Sequence, residues 1–339
     1  MTNAGCYMHM SHFDCTVIGD VFFDIVVKVD SDPRSFFLGG TSYCDFIKLM
    51  LGGAGNVAVG LSTLGGKAAF VGKAGDDLFG KLYAEDLKNR GVASRIFFDS
   101  YSQTGLIVVF TEEKERSLLV FRGANDQLSA SEIGKADDLI KKSSFVYFCG
   151  YSLVHTPQRN AILRATELAK KYGAKILFDP GAYNLAKSER KFFVKLLELC
   201  DVFSLNLDEA RAITRTTNVS DIINELRQKV SLTALKCGKN GSIIVSKESI
   251  VRTKGYSVKC IDPTGAGDAF TSALIYGLTH RLPLESMGQL ANWFAARVTT
   301  NIGARNYPSK TEIEHFLNGI TYQECCNEGL HTSKTTKPK

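Results

Sequence analysis

The sequence predicts an α/β fold in three layers, a mostly parallel β-sheet with helices on both faces, carrying a small β-sheet lid. Two observations predict it. From about residue 130, apolar β-branched runs alternate with amphipathic segments, the pattern of parallel strands joined by crossover helices. Before about residue 125 that alternation is interrupted twice, at about 28–50 and 104–123. The interruptions are read together as one small sheet projecting from the main domain.

The elements follow in order. "CTVIGDVFFDIVVKV" is a strand run, and within it "GDVFFD" (19–24) ends its strand with Asp24. "SDPRSFFLGGTSYCDFIKLML" behind it has no helical period, and "TGLIVVFTEEKERSLLVF" (104–121) reads as a hairpin with charged residues between two β runs. "SSFVYFCG" (143–150) reads as a buried strand. The helix pattern "TPQRNAILRATELAKKYG" has Pro157 near its first turn and Gly173 at its stop, the usual asymmetry of helix ends. "AKILFDPG" is the next strand, then come the helix "SERKFFVKLLELC", the strand "DVFSLN" and helices to Val230. "LTALKCG" and "GSIIVS" close the block as strands, and a strand-like run, Gly255–Ile261, precedes a long apolar helix.

Composition excludes several classes. The chain has 339 residues, 44% hydrophobic and 22% charged, ordinary values for a water-exposed globular protein. No run reaches the ~18 apolar residues that span a membrane, and the N-terminus lacks the order of a signal peptide. The net charge of +6 owes three lysines to a terminal stretch, "HTSKTTKPK". Residues 321–339 are expected to be a polar, disordered tail, with neither nucleic acid nor membrane as partner. The nine cysteines form no CxxC pair and the six histidines no HExxH spacing, so no zinc or redox motif is expected, and a cytoplasmic, reducing setting fits.

Two glycine motifs are decoys. "GAGNVA" (53–58) matches G-x-G-x-x-A, but a dinucleotide site needs an acid at the end of the next strand. Here a glycine loop intervenes before Asp76 and Asp77. "GDDLFGKL" (75–82) nearly matches a P-loop, yet Leu82 stands where a hydroxyl should bring Mg²⁺, and two carboxylates would repel the phosphates.

The chemistry is carried elsewhere, in "DPTGAGDAF" (262–270). Asp268 there is either an N-cap or a group acting on a ligand whose phosphate takes the free helix N–H groups. With "GDVFFD", "LGGAGNVAVGLSTLG" (51–65) and "NLDEA" (206–210), the stretch resembles the ribokinase, or PfkB, family of carbohydrate and nucleoside kinases. The resemblance runs over roughly residues 14–320 in family order, as one ribokinase-like domain.

The resemblance implies an ATP-dependent phosphotransferase with Asp268 as catalytic base and the backbone of Gly265, Ala266 and Gly267 as anion hole. Fixed N–H dipoles at a helix N-terminus suit a transferring phosphoryl group, and that positive end is expected to keep Asp268 ionised. Asn206 and Glu209 match N-x-x-E, which holds Mg²⁺ through water; alone they also fit a capped helix with a capping-box Glu. Asp24, Gly52, Gly53 and Asn56 match the sugar-binding positions. Only Ala54 and Gly55 separate the glycine pair from Asn56, one residue fewer than in ribokinase, which puts ribose as acceptor in question. Asn206, Lys236, Gly238 and Gly241 fall on the ATP side, and Asp262 and Thr264 match positions that help hold a monovalent cation, K⁺. Arg122 in "FRGAND" is read as an exposed hairpin-end arginine. The acceptor is a small molecule, a sugar or alternatively a nucleoside, and lids of this family pair between subunits, which implies a homodimer. The alternative from another class is a non-catalytic ligand-binding regulator on the same fold; a pure binder has no use for a base at Asp268.

Overall fold

The first β run divides between two sheets. In the computed structural model, which describes residues 13–28, 41, 43–44, 46–112 and 115–331, it becomes β1 (Phe13–Ile18) and β2 (Val21–Lys28). The break falls at Gly19–Asp20, where a Cβ on Gly19 would stand 2.7 Å from the Ala54 methyl. Asp24 is therefore in the middle of β2 and not at a strand end.

β2 pairs antiparallel with β3 (Phe46–Gly53). After β4 (Ala68–Gly75) and β5 (Ala93–Asp99) come the hairpin strands β6 (Gly105–Glu112) and β7 (Glu115–Phe121). The order β3-β2-β6-β7 makes a four-stranded sheet, with β6 parallel to β2. This lid is wider than its sequence signal, because it takes in Val21–Lys28 and extends to Gly53. Residues 29–40, 42 and 45 of the first insertion lie outside the described residues. One lid surface stays apolar and open, with Ile47, Leu49 and Leu119 all more than half exposed.

The main sheet continues through β8 (Ser143–Cys149), β9 (Lys175–Asp179), β10 (Val202–Asn206) and β11 (Leu232–Lys236), then β12 (Ser242–Ser246) and β13 (Ile250–Thr253). Its nine strands run β13-β12-β11-β10-β9-β8-β1-β4-β5, parallel from β11 to β5, with β12 and β13 added antiparallel. Successive side chains point to opposite faces of a strand. Thus Ile18, Val146, Phe148 and Phe178 pack under helices including Gln158–Tyr172, whereas Val17, Tyr147 and Leu177 pack under Gly55–Thr63, Ala266–Thr279 and Leu284–Val298. Phe178 stacks on Phe203 with ring centres 5.6 Å apart and meets Phe193 edge-on at 5.1 Å. Such a buried side chain contributes about 1.5–3 kcal/mol through lost contact with water.

Helix ends follow the sequence. Gln158–Tyr172 starts after Pro157 and stops at Gly173, whose φ of 76° suits glycine. Two expectations fail. Gly255–Ile261 forms no strand: it lies beyond edge strand β13 with no further strand to pair with, and it borders a cavity instead. The last helix, Lys310–His331, runs past residue 321 into the expected tail, whose proline comes only at Pro338. Residues 332–339 lie outside the described residues. Among the described residues no helix is long and apolar enough to cross a membrane.

Candidate active site

Strands β9, β10 and β11 end on Asp179, Asn206 and Lys236, and all three line a cavity of about 810 Å³. The carboxyl edge of a parallel sheet is where open α/β folds bind ligands. The N-terminus of the helix Ala266–Thr279 opens into the same space. Gly265 turns the chain into it with φ 81°, and a Cβ there would sit 2.6 Å from the Ala304 carbonyl oxygen. Asp268 does not cap: the N-cap is Gly265, without a side-chain bond. The Asp268 carboxylate instead accepts a 3.0 Å bond from Asn56 Nδ2. Desolvation pushes its pKa up to about 6, against the pull of the Asn56 bond. The helix terminus was expected to hold it low; burial wins, although the group is still ionised at pH 7. Of the expected backbone donors, Ala266 is engaged by the Pro263 carbonyl at 3.2 Å. First-turn N–H groups farther along have no acceptor one turn back in the helix.

The residues expected on the sugar side, Asp24, Gly52, Gly53 and Asn56, lie around the β2–β3 pair and the start of the following helix. Asp24 crosses from the lid onto Gly52, where a Cβ would lie 2.8 Å from the Asp24 Cγ, so only glycine leaves room for the carboxylate. Gly53 has φ 73° and closes against the Asp20 backbone. Burial pushes Asp24 up to about 7; Arg305 opposes the rise and Asp268 adds to it. Its Oδ1 is buried with no hydrogen-bond partner. Asn56 joins two groups, donating to Asp268 and accepting from Arg305 Nε at 2.8 Å. Arg305 is absent from the sequence reading. It also ion-pairs with Asp86 and lies over the Tyr83 ring, whose hydroxyl donates to the Gly52 carbonyl. A lone arginine in an irregular loop gives no periodic or spacing signal.

On the opposite side Asn206 and Glu209 form a complete capping box at the helix Leu207–Thr214. Asn206 Oδ1 and Glu209 Oε2 are both occupied by it, so Glu209 Oε1 is the oxygen left to act on a ligand. Burial and the nearby Asp179 push Glu209 up to about 7, with Lys236 opposing. The Lys236 side chain is largely buried, and its Nζ pairs with Asp179 at 2.6 Å. Asp179 is a second residue that sequence reasoning missed. Gly238 and Gly241 border the cavity with φ 59° and 93°.

The remaining expectations divide. Asp262 Oδ1 accepts from Thr264 N and Oγ1, and its Oδ2 accepts from Gly303 N at 2.9 Å. Arg122 is not exposed; it is 15% accessible and grips Asp20, Asp126 and Gln158 at the root of the lid. Asp20, 102 positions away, supplies a buried partner that a hairpin-end reading has no means to see. Of the two glycine motifs, "GDDLFGKL" leads into the helix Leu78–Asn89 that Asp77 caps, and "GAGNVA" leads into Gly55–Thr63.

A cavity at the strand ends, a glycine-bounded helix N-terminus and a carboxylate set beside it are the arrangement of an α/β ligand-binding site. Residues 13–312 match the model of the pfkB family carbohydrate kinase, and the chain belongs to that family. It is 30% identical over 301 residues to Probable fructokinase-4 of Arabidopsis thaliana, covering 83% of this chain and 92% of the relative. It is likewise 30% identical over 321 residues to the 5-dehydro-2-deoxygluconokinase of Bacillus licheniformis, covering 90% and 96%. Among solved structures, the adenosine kinase from Sinorhizobium meliloti superposes with a TM-score of 0.80 at 25% identity, over 92% of this chain and 99% of that one. The fold is ribokinase-like.

Proposed function

We propose that the protein transfers the γ-phosphoryl group of ATP to a hydroxyl of a sugar, with Asp268 as the base. The observation that carries this is the placement of Asp268. Its carboxylate stands at the mouth of a glycine-lined helix N-terminus and is held by Asn56, not by the helix it begins. A carboxylate with a pKa near 6 is ionised at neutral pH yet basic enough to take a hydroxyl proton. The acceptor hydroxyl lies between Asp24, Asn56 and Asp268. Its oxygen forms the new bond to phosphorus, its proton passes to Asp268, and the old phosphorus–oxygen bond leaves its electrons on ADP. Because such transition states are loose, Asp268 also aims the hydroxyl. Backbone N–H groups of Gly265, Ala266 and Gly267 form the anion hole, with Ala266 turning from Pro263 to the phosphate. The missing side chain at Gly267 lets the phosphate approach, whereas that at Gly265 lets the turn pack against Ala304.

Lys236, Gly238 and Gly241 belong to the nucleotide side. Among the described residues no group of three or more His, Cys, Asp or Glu could hold a metal. The oxygens nonetheless fit Mg²⁺, which keeps several waters and takes only one or two carboxylates. Glu209 Oε1 would hold such a water, and the metal would neutralise charge on the phosphates. Asn206 acts by fixing Glu209. Asp262 is satisfied by three donors, which fits a strut between two loops better than a K⁺ ligand; no step runs through a monovalent cation.

Sugar over nucleoside is favoured by the acceptor-side groups, a carboxylate and an amide suited to several hydroxyls. A nucleoside acceptor is the second reading, favoured by the likeness to an adenosine kinase. The open apolar lid surface supports a homodimer through the lid. Free thiols at Cys15, Cys149, Cys200 and Cys237 support a reducing, cytoplasmic setting. The test is ATP consumption over ketohexoses, pentoses, sugar acids and nucleosides, with Asp268→Asn as control. Turnover on a sugar that vanishes in the control supports the reading; turnover surviving in the control refutes the base.

A further inference from the structure

The cavity's charge is unbalanced in a way the scheme above does not use. Three carboxylates, Asp179, Glu209 and Asp268, line it, and a nucleotide triphosphate would add more negative charge. Two lysines line it as well, but Lys239 is exposed on the rim while Lys236 is 14% accessible and lies inside. Lys236 gives one of its three N–H donors to Asp179 at 2.6 Å. Burial works against its charge, yet Asp179 and then Glu209 outweigh burial and keep it firmly protonated. Its direction is set by the fold: a Cβ on Gly267 would stand 3.8 Å from Lys236 Nζ. The gap left by that missing side chain therefore lies between the ammonium and the first turn of the helix that carries Asp268.

We propose that Lys236 is a catalytic residue that binds the transferring γ-phosphoryl group across the Gly267 gap, and that Asp179 holds it there. This rests on the kinase reading above and deepens it. The anion hole of that reading includes the Gly267 backbone, so a phosphoryl group seated there lies in the gap that faces the Lys236 ammonium. The α- and β-phosphates then lie farther out toward Gly238 and Gly241. The lysine thus meets the one phosphate that moves. It supplies a fixed positive charge to the equatorial oxygens while the bond to the β-phosphate oxygen breaks and the bond to the acceptor oxygen forms. It neither gains nor loses a proton. Asp179 has two roles: it holds the ammonium in one rotamer, and it gives the lysine a partner when no nucleotide is bound.

A lysine that only neutralises Asp179 would not distinguish ADP from ATP, and this separates the two roles. Calorimetry with Mg·ADP and with the Mg complex of the β,γ-imido analogue of ATP is carried out on wild type, Lys236→Met and Lys236→Arg. The expected result for Lys236→Met is a ten- to hundredfold loss (roughly one charged hydrogen bond) for the imido analogue, with ADP changed by less than about twofold. Its kcat on the best acceptor should fall by about 10²–10³, as for a lost oxyanion contact, and Lys236→Arg should recover part of it. Should Lys236→Met not fold, Lys236→Met with Asp179→Asn removes both charges, and the same ratio is read there. Equal weakening of both nucleotides, or no change in either, overturns the proposal. Wild-type protein that binds neither nucleotide refutes the kinase reading itself, a result that no Lys236 variant can mimic.

Discussion

Removing the charge of Asp24 should stabilise the unliganded protein while damaging its acceptor site. The structure supplies the size. Asp24 is 8% exposed, its Oδ1 has no partner, and its pKa rises from 3.8 to about 7. A folded-state pKa above the unfolded value means that the folded chain keeps a proton which the unfolded chain loses. Stability therefore falls as pH rises from about 4 to about 7, and the loss is complete above 7. At about 1.4 kcal/mol per unit, the full shift is about 4 kcal/mol, an upper bound. Asp24→Asn keeps the volume and removes the ionisation, but it buries an amide with poor partners at a cost of about 1 kcal/mol. The net gain at pH 8 should be about 1–3 kcal/mol, or roughly 3–8 °C in Tm. The assay is thermal unfolding of both proteins from pH 5 to 8.5 without ligands. The gap between the two curves should widen with pH up to about 7 and then stay constant. Parallel curves, or a variant less stable than wild type at pH 8, would refute the assignment of a strained carboxylate at Asp24.

Three further predictions concern catalysis. Asp268→Asn should fold and bind ATP while turnover falls by roughly 10²–10⁴, the range for a lost general base; single-turnover kinetics with calorimetry of ATP checks both halves. For wild type, kcat at saturating substrates should drop about tenfold for each pH unit below about 6, because the base must be ionised and its pKa is near that value; a flat profile from pH 5 to 7 would contradict it. Glu209→Gln should raise the Mg²⁺ concentration needed for half-maximal rate several-fold with little change in acceptor KM; an unchanged metal titration would leave Glu209 as a helix-capping residue alone.

Different parts of this protein were legible in its sequence to different degrees, for physical reasons. "DPTGAGD" was readable because a tight turn and a backbone open to phosphate both demand glycine at fixed positions. The Gln158–Tyr172 helix was readable because its proline and glycine mark its ends locally. Asp24 was assigned to the site but misplaced in its strand, since the true break at Gly19–Asp20 depends on Ala54, which packs there only after folding. Gly255–Ile261 has strand-like composition, but a strand needs a neighbour, and β13 is the sheet's edge. Arg305, Asp179 and the buried state of Arg122 are products of pairing over long separations. Arg305 meets Asn56 across 249 positions and Lys236 meets Asp179 across 57. No local pattern encodes such partners.

The site's acids carry a cost in the unliganded protein. Asp24 and Glu209 both titrate near 7 and Asp268 near 6, each raised first by desolvation. Three partly desolvated carboxylates that close to neutrality oppose folding at physiological pH, and simple selection for stability would replace them with amides. In the proposed reaction each raised value would be relieved by a different reactant. Acceptor hydroxyls would donate to Asp24, a metal-bound water would donate to Glu209, and Asp268 would receive the acceptor's own proton. The energy withheld from the empty fold is thus returned when the matching group arrives, and it is returned in full only when all three are present. This coupling favours a filled site over a half-filled one. On that reading it would work against hydrolysis of ATP in the absence of acceptor, because water at the hydroxyl position would leave Asp24 without the donors that a polyhydroxylated ligand brings.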